Sequence, residues 1–351
     1  MELITLTKDD PEFESYLLGT FSNEHRAIPV ETYHAATPRE RITFRVIPKE
    51  KVGAPHWVKI YFRSCRPELL GLTMGPAVAA WLNHSHSLNE WARIPSWLAL
   101  IGLFFLHTAV FIFNDVQDHI HGLDRLNRRR GSQVIQKGWV TAAEMKRWAL
   151  INGALALIFG LPSFLNAPSE LLVVCALAAV SILVITKNVG TRWGLCDLAL
   201  MAIFGPLITM GIALASFGES NLQDIALGLA LGALALWVFQ TRQFEDLFRS
   251  KPTSFRTFLG FLNFDRAHQV VVVEGMLLLF IQPVVALVLR LPLIFLAFSP
   301  VVSIPLILTV QRFLKANSPL SSSLVNSSKY ALASHFTWAG WWILSLGVTW
   351  L

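Results

Sequence analysis

Residues 96–124 read SWLALIGLFFLHTAVFIFNDVQDHIHGLD. An apolar run of the length a bilayer demands, about 20 residues, passes without a break into Asn114, Asp115, Asp118 and Asp124. An acid at membrane depth is costly unless it faces a cavity or a cation, so the stretch predicts a membrane helix whose last turns serve a polar site. On a helix, Asn114 and Asp118 lie one turn apart on one face, and Asp115 is rotated by about 100°. Two oxygen-bearing side chains so placed suit a magnesium ion whose other positions go to water and a diphosphate. Gly122 lets the helix end, and Asp124 can return toward the same place. The plainer alternative is a solvated helix end with the acids as caps, which accounts for Asp124 more easily than for Asn114 and Asp118. His119 and His121 read as polar surface rather than ligands.

The rest of the chain fits that helix. Of 351 residues, 54% are hydrophobic and only 15% charged, a balance that favours a membrane protein over a soluble domain of this size. Apolar segments of spanning length recur near 67–83, 96–118, 146–164, 169–186, 194–216, 222–243, 268–289, 291–313 and 330–350. They predict an all-α, polytopic bundle of about nine transmembrane helices around a central cavity. The net charge of +6 lies in short loops, which argues for membrane topology and against nucleic acid. Connections after the even-numbered spans carry Arg125, Arg128, Arg129, Arg130, Lys137, Lys187, Arg192, Arg242, Arg249, Lys251, Arg256, Arg312 and Lys315; the others carry Arg93 and Arg290. The alternation puts the amino terminus and the polar loops on the cytoplasmic side. Cys65, Cys175 and Cys196 have no paired spacing and read as packing residues.

Residues 1–60 are polar and mixed, without a targeting pattern, and are expected to be a cytosolic extension to a membrane domain over 61–351. Phe13, Tyr16, Leu17, Phe21 and the run Ile42-Thr43-Phe44-Arg45-Val46-Ile47 suit a small ordered cap or a segment lying along the membrane.

Past the acids comes Arg125-Leu126-Asn127-Arg128-Arg129-Arg130-Gly131-Ser132-Gln133-Val134-Ile135-Gln136-Lys137-Gly138. Basic residues beside an acidic metal site suit an anionic substrate, with guanidinium forks on phosphate oxygens. Positive-inside topology asks for them as well.

The run Asn114-Asp115-x-x-Asp118-x-x-x-Gly122-x-Asp124 resembles the first signature of the UbiA superfamily of intramembrane prenyltransferases. The glycine-containing form resembles its menaquinone-pathway branch, which acts on dihydroxynaphthoate. Arg66-Pro67, Arg130-Gly131-Ser132, Val134-Ile135-Gln136 and Phe204-Gly205-Pro206-Leu207 extend the similarity over most of the chain after about residue 57. The resemblance implies magnesium at Asn114 and Asp118, with Asp115 and Asp124 as supporting acids and Arg129 and Lys137 near the diphosphate. Lys187 and Arg242, from loops on the same expected face, join the candidate substrate contacts.

A second polar stretch reads Phe239-Gln240-Thr241-Arg242-Gln243-Phe244-Glu245-Asp246-Leu247-Phe248-Arg249-Ser250-Lys251-Pro252-Thr253. The family's Asp-x-x-x-Asp is incomplete here: with Asp246 first, Ser250 stands second, and with Asp246 last, Arg242 stands first. Glu245 or Gln243 is then a candidate for the missing oxygen, and Glu245 and Asp246 are candidate ligands of a second magnesium. Taken alone, both acids read as an ordinary charged loop.

The resemblance implies transfer of an isoprenyl group from its diphosphate to an aromatic acceptor, naphthoate-like by preference, with the chain held in an apolar tunnel. Phe111, Phe113, Trp193, Phe204 and Trp237 are possible aromatic walls for a cation. The altered second motif keeps a cyclase on the same fold in play, in which the allylic cation is trapped by its own double bond. A transporter with intramembrane acids fits less well, because the acids lie at span ends and no inverted repeat is visible.

Overall fold

The computed structural model describes residues 2–85, 94–127, 131–165, 167–187, 189–247 and 257–348. The chain divides into two compact units, Met1–Leu70 with Gly102–Ile158, and Gly71–Ile101 with Phe159–Leu351.

The first unit opens with a three-stranded antiparallel sheet, so the chain is mainly helical rather than all-α. Strands β1 (Glu2–Thr7), β2 (His25–Tyr33) and β3 (Arg41–Pro48) lie in the order β1-β3-β2. The cause is alternation of period two: Ile42, Phe44 and Val46 point to one buried face. Ile42 and Phe44 pack on Phe13 and Leu17 of the short helix α1 (Phe13–Leu18). Helices α2 (Trp57–Ser64) and α3 (Pro67–His84) follow, then α4 (Ile94–Ile120), α5 (Leu123–Leu126) and α6 (Ala142–Leu165). Ile60, Ile112, Val116, Val134, Ile135 and Met145 form the apolar core beside the end of α4. Helix α6 starts on a capping box: Thr141 N–H donates to Glu144 Oε2 at 2.7 Å and Glu144 N–H to Thr141 Oγ1 at 3.0 Å.

The second unit contains α7 (Ser169–Thr186), α8 (Leu195–Ile203), α9 (Pro206–Phe217), α10 (Leu222–Leu247) and α11 (Phe264–Val288). Three short helices, α12 (Leu293–Ala297), α13 (Ser299–Val302) and α14 (Ile304–Leu314), precede α15 (Ser327–Val348). Gly205, between α8 and α9, faces Gly228 and Gly232 of α10; a Cβ there would stand 2.8 Å from the Gly232 Cα, so this close backbone approach requires glycine.

Among the described residues, six helices are long and apolar enough to cross a membrane: Ile94–Ile120, Ala142–Leu165, Ser169–Thr186, Leu195–Phe217, Leu222–Asp246 and Phe264–Val288. The expected count of about nine is not reproduced. Residues 291–313 are interrupted at Pro292, Pro300 and Pro305, each of which removes a backbone donor, and break into α12, α13 and α14. Helices α3 and α15 carry Glu68, Asn83 and His84, and Ser327, Ser328, Lys329 and His335, respectively, which lowers their apolar character. Many side chains of α6 and α7, among them Leu150, Leu157, Leu165, Leu172 and Leu183, point outward. Apolar surface of that extent suits contact with lipid.

Candidate active site

The last turns of α4 carry Asn114, Asp115, Asp118 and His119, with Asp115, Asp118 and His119 buried. Asn114 Nδ2 donates to Asp118 Oδ2 at 3.0 Å, so the two residues expected on one face do meet. Asp115 is held differently. Its Oδ1 pairs with the Arg66 guanidinium, and its Oδ2 accepts from the Ser132 backbone N–H at 3.0 Å. Arg66 sits between α2 and α3 with φ +48°, a conformation uncommon outside glycine. Burial alone would lower its basicity, but the carboxylates of Asp115, Asp124 and Asp118 more than reverse that and hold it above the usual arginine value.

Gly122 turns the chain out of α4 with φ +80°. Asp124 follows on α5, buried, and a Cβ at Gly131 would collide with its carboxylate. Residues 114–124 and 131–134 thus lie against one another.

Two cations stand beside this group. Arg63 Nε donates to the Ser132 carbonyl at 2.8 Å, and its guanidinium lies 5.5 Å from the Trp139 ring centre; Lys137 Nζ lies 4.6 Å from the same ring. Partial burial and the charge of Arg63 hold the Lys137 ammonium below the usual lysine value. Among the described residues, neither cation has a carboxylate within ion-pair distance. Arg125 contrasts with them: it is buried and paired with Glu40 at 2.6 Å. Arg129 lies outside the described residues.

In the second unit, the end of α10 gives a different picture. Glu245 Oε1 accepts from Ser327 Oγ and Ser328 N–H, each at 2.8 Å, and Oε2 from Ser328 Oγ at 3.0 Å. Its carboxylate therefore closes the amino terminus of α15. Gln243 Oε1 accepts from the Thr257 N–H at 2.7 Å. Arg242 and Asp246 are half-buried on the same helix end, and Lys187 is exposed at the end of α7. One turn before Gln243, Gln240 Nε2 donates to Asp197 Oδ1 of α8 at 3.0 Å and to Glu274 Oε1 of α11 at 3.4 Å.

Of the proposed wall aromatics, Trp237 is packed inside, its Nε1 donating to the Val271 carbonyl at 2.9 Å, and Trp193 is 86% exposed. Phe204 meets Phe239 at a tilt, with ring centres 5.1 Å apart, Phe111 lies under Arg66, and Phe113 is exposed.

The pattern of the UbiA prenyltransferase family matches residues 72–332. The chain belongs to that family. It is 29% identical over 224 residues, 59% of this chain and 71% of the relative, to 1,4-dihydroxy-2-naphthoate octaprenyltransferase of Escherichia coli (strain K12). The expected resemblance to the dihydroxynaphthoate branch rests on that relative. Among solved structures, a UbiA homologue of Archaeoglobus fulgidus bound to DMAPP and Mg2+ aligns with TM-score 0.54 at 14% identity, covering 82% of this chain and 99% of that one. The apo UbiA homologue of Aeropyrum pernix K1 aligns with TM-score 0.57 at 15% identity, covering 80% and 98%. These likenesses carry the fold. This UbiA-family chain is therefore a prenyltransferase and an integral membrane protein.

Arg63, Arg66, Asp197 and Glu274 were not among the residues expected at a site. A signal existed for Asp197 and Glu274, lone acids inside apolar runs. For Arg66, the signal was an arginine at the brink of a span.

Proposed function

We propose that this UbiA-family enzyme is a magnesium-dependent prenyltransferase that moves an isoprenyl group from its diphosphate to a hydroxylated aromatic ring, naphthoate-like by preference. The observation that carries the reading is the end of α4, where Asn114 meets Asp118 beside the Arg66–Asp115 pair, with Arg63 and Lys137 close by.

The donor chemistry fits magnesium. Asn114 and Asp118 offer hard oxygen atoms, and the ion keeps several positions for water and substrate phosphates. When bound, magnesium neutralises the diphosphate and makes it a better leaving group. The chain's own residues do the rest. Asn114 and Asp118 hold the headgroup's metal, Arg66 keeps Asp115 in place, and Asp124 supports the turn. Arg63 and Lys137 take phosphate oxygens, with Arg129 assigned the same part on its place in the sequence. As the allylic C–O bond breaks, its electron pair leaves with the diphosphate; a ring carbon supplies the pair for the new C–C bond, and the ring then loses a proton.

Asp246, Arg242 and Lys187 are assigned a supporting part in handling the diphosphate, on the sequence pattern alone. Glu245 is reassigned from metal ligand to helix cap, on its three hydrogen bonds to Ser327 and Ser328. The alternation of basic loops supports a cytoplasmic amino terminus and headgroup site. The relative from Escherichia coli favours an aromatic acceptor over internal cyclisation.

The test is incubation of purified protein with magnesium and geranyl, farnesyl or geranylgeranyl diphosphate, with and without dihydroxynaphthoate or hydroxybenzoate, followed by mass spectrometry. A prenylated aromatic is expected. A cyclic hydrocarbon formed without acceptor would replace the transferase with a cyclase, and no product from any donor would remove both.

A further inference from the structure

The family pattern begins at residue 72, so the folded amino-terminal sheet lies outside it. Its contacts within the first unit converge on the turn that follows α4. After β2 the chain bends through His34 and Ala36, both at positive φ, and delivers Glu40 into the interior, 3% exposed. Glu40 Oε1 accepts from Arg125 Nη2 at 2.6 Å, and its Oε2 from the Ala36 N–H at 3.3 Å. Arg125 reaches the other way: Nε donates to the His119 carbonyl at 2.9 Å and Nη2 to the Ile120 carbonyl at 3.1 Å. Those carbonyls belong to the last turn of α4, where the His119 carbonyl also accepts from the Gly122 N–H at 3.1 Å and where a cation is favoured by the dipole.

Other ties secure the same turn. His119 Nε2 lies 3.0 Å from the Leu17 carbonyl of α1, and Gln136 Nε2 lies 3.3 Å from His119 Nδ1. A Cβ at Gly122 would stand 2.6 Å from the Ala35 Cβ, so the sheet's loop rests directly on the glycine that ends the helix. Farther along, Arg26 of β2 grips Glu144 through both carboxylate oxygens, at 3.0 and 3.1 Å.

We infer that the amino-terminal sheet is a working part of the diphosphate site, with Glu40 as a positioning residue that acts through Arg125 on the turn carrying Asp118 and Asp124. Two consequences of the Glu40 charge support this. It orients a guanidinium that fastens the residues directly after Asp118. It also neutralises a cation adjoining Asp124 in sequence, which without Glu40 would compete with magnesium for the site's carboxylates. A well-packed apolar pair would hold the sheet equally well; the buried ion pair adds direction and charge control. The inference rests on the reading that the acids of α4 hold the magnesium diphosphate.

The experiment compares full-length wild type, Glu40→Ala, Glu40→Gln, Glu40→Asp and Arg26→Met in detergent, measuring the magnesium half-saturation, KM for the prenyl diphosphate, kcat and thermal midpoint. Removing a residue that orients a metal-binding group weakens metal use by about tenfold or more. Glu40→Ala and Glu40→Gln are therefore expected to raise half-saturation and KM together by about tenfold, with kcat changed much less. Glu40→Asp is expected to recover most of the loss. Arg26→Met, which removes another buried tie of the same sheet, should lower the thermal midpoint and leave both constants where they were. Glu40→Gln is nearly isosteric and keeps the comparison readable if Glu40→Ala does not fold. Unchanged constants in folded Glu40→Gln, equal shifts in Arg26→Met, or failure of both Glu40→Ala and Glu40→Gln to fold would overturn the inference and leave the sheet a purely structural element. Lack of magnesium-dependent turnover in the wild type would instead remove the proposed function beneath it.

Discussion

At the end of α4, Arg66 and the Ser132 N–H occupy Asp115 and leave Asn114 and Asp118 together, whereas at the end of α10 Glu245 caps α15 and Gln243 holds the Thr257 N–H. Both stretches are polar continuations of apolar helices, and in sequence both look like places for a metal. The difference lies in what each oxygen already does for the fold. In the first stretch, Asp115 carries a structural duty, and Asp118 meets Asn114, the other residue of the proposed metal pair. In the second, the side chains nominated to replace the missing aspartate are themselves structural.

The comparison breaks most visibly at Arg66. Arg66→Met leaves Asp115 buried without its partner, and losing one member of a buried pair costs about 3–5 kcal/mol. Thermal unfolding in detergent is expected to show a large drop, and a midpoint near that of wild type would end the structural role given to Asp115. Next in size is Asp118→Ala, expected to reduce kcat by about 10²–10³-fold, the loss typical of removing one group that stabilises developing charge, while the protein remains folded. Retained magnesium-dependent turnover would dismantle the first motif. Lys137→Ala sharpens the view of the exposed cations: KM for the diphosphate should rise by about fivefold to tenfold, on the order of 1 kcal/mol. The effect should shrink at high salt, as expected of a solvent-facing charge; a fall in kcat at constant KM would place Lys137 elsewhere in the reaction. Glu245→Ala has the smallest expected effect, about 1 kcal/mol of stability from a lost helix cap, with turnover nearly unchanged. Loss of activity at full stability would return Glu245 to the metal.

Residue types alone made the membrane class, the helix at 96–118 and the Asn114–Asp118 face readable, because spanning length and helical spacing are local properties. The same locality misled at three places. Ile42, Phe44 and Val46 alternate with period two, but the residues alone left a small ordered cap and a segment along the membrane equally open, and the strand pairing comes from β1 and β2. Residues 291–313 have the length of a span, but Pro292, Pro300 and Pro305 interrupt it. Arg125 looked like one more phosphate-binding arginine, and only its partner Glu40, 85 residues earlier, withdraws it from that role.

What the sequence by itself determined about this UbiA-family enzyme is the identity of the acids and the helix that carries them, since a single α-helix sets their relative directions. Which acids are already engaged, by Arg66, by Ser327 and Ser328, or by an amide such as Gln240, was decided only by the tertiary structure. The physical reason is that a charge's role depends on its partner, and these partners come from segments distant in the chain.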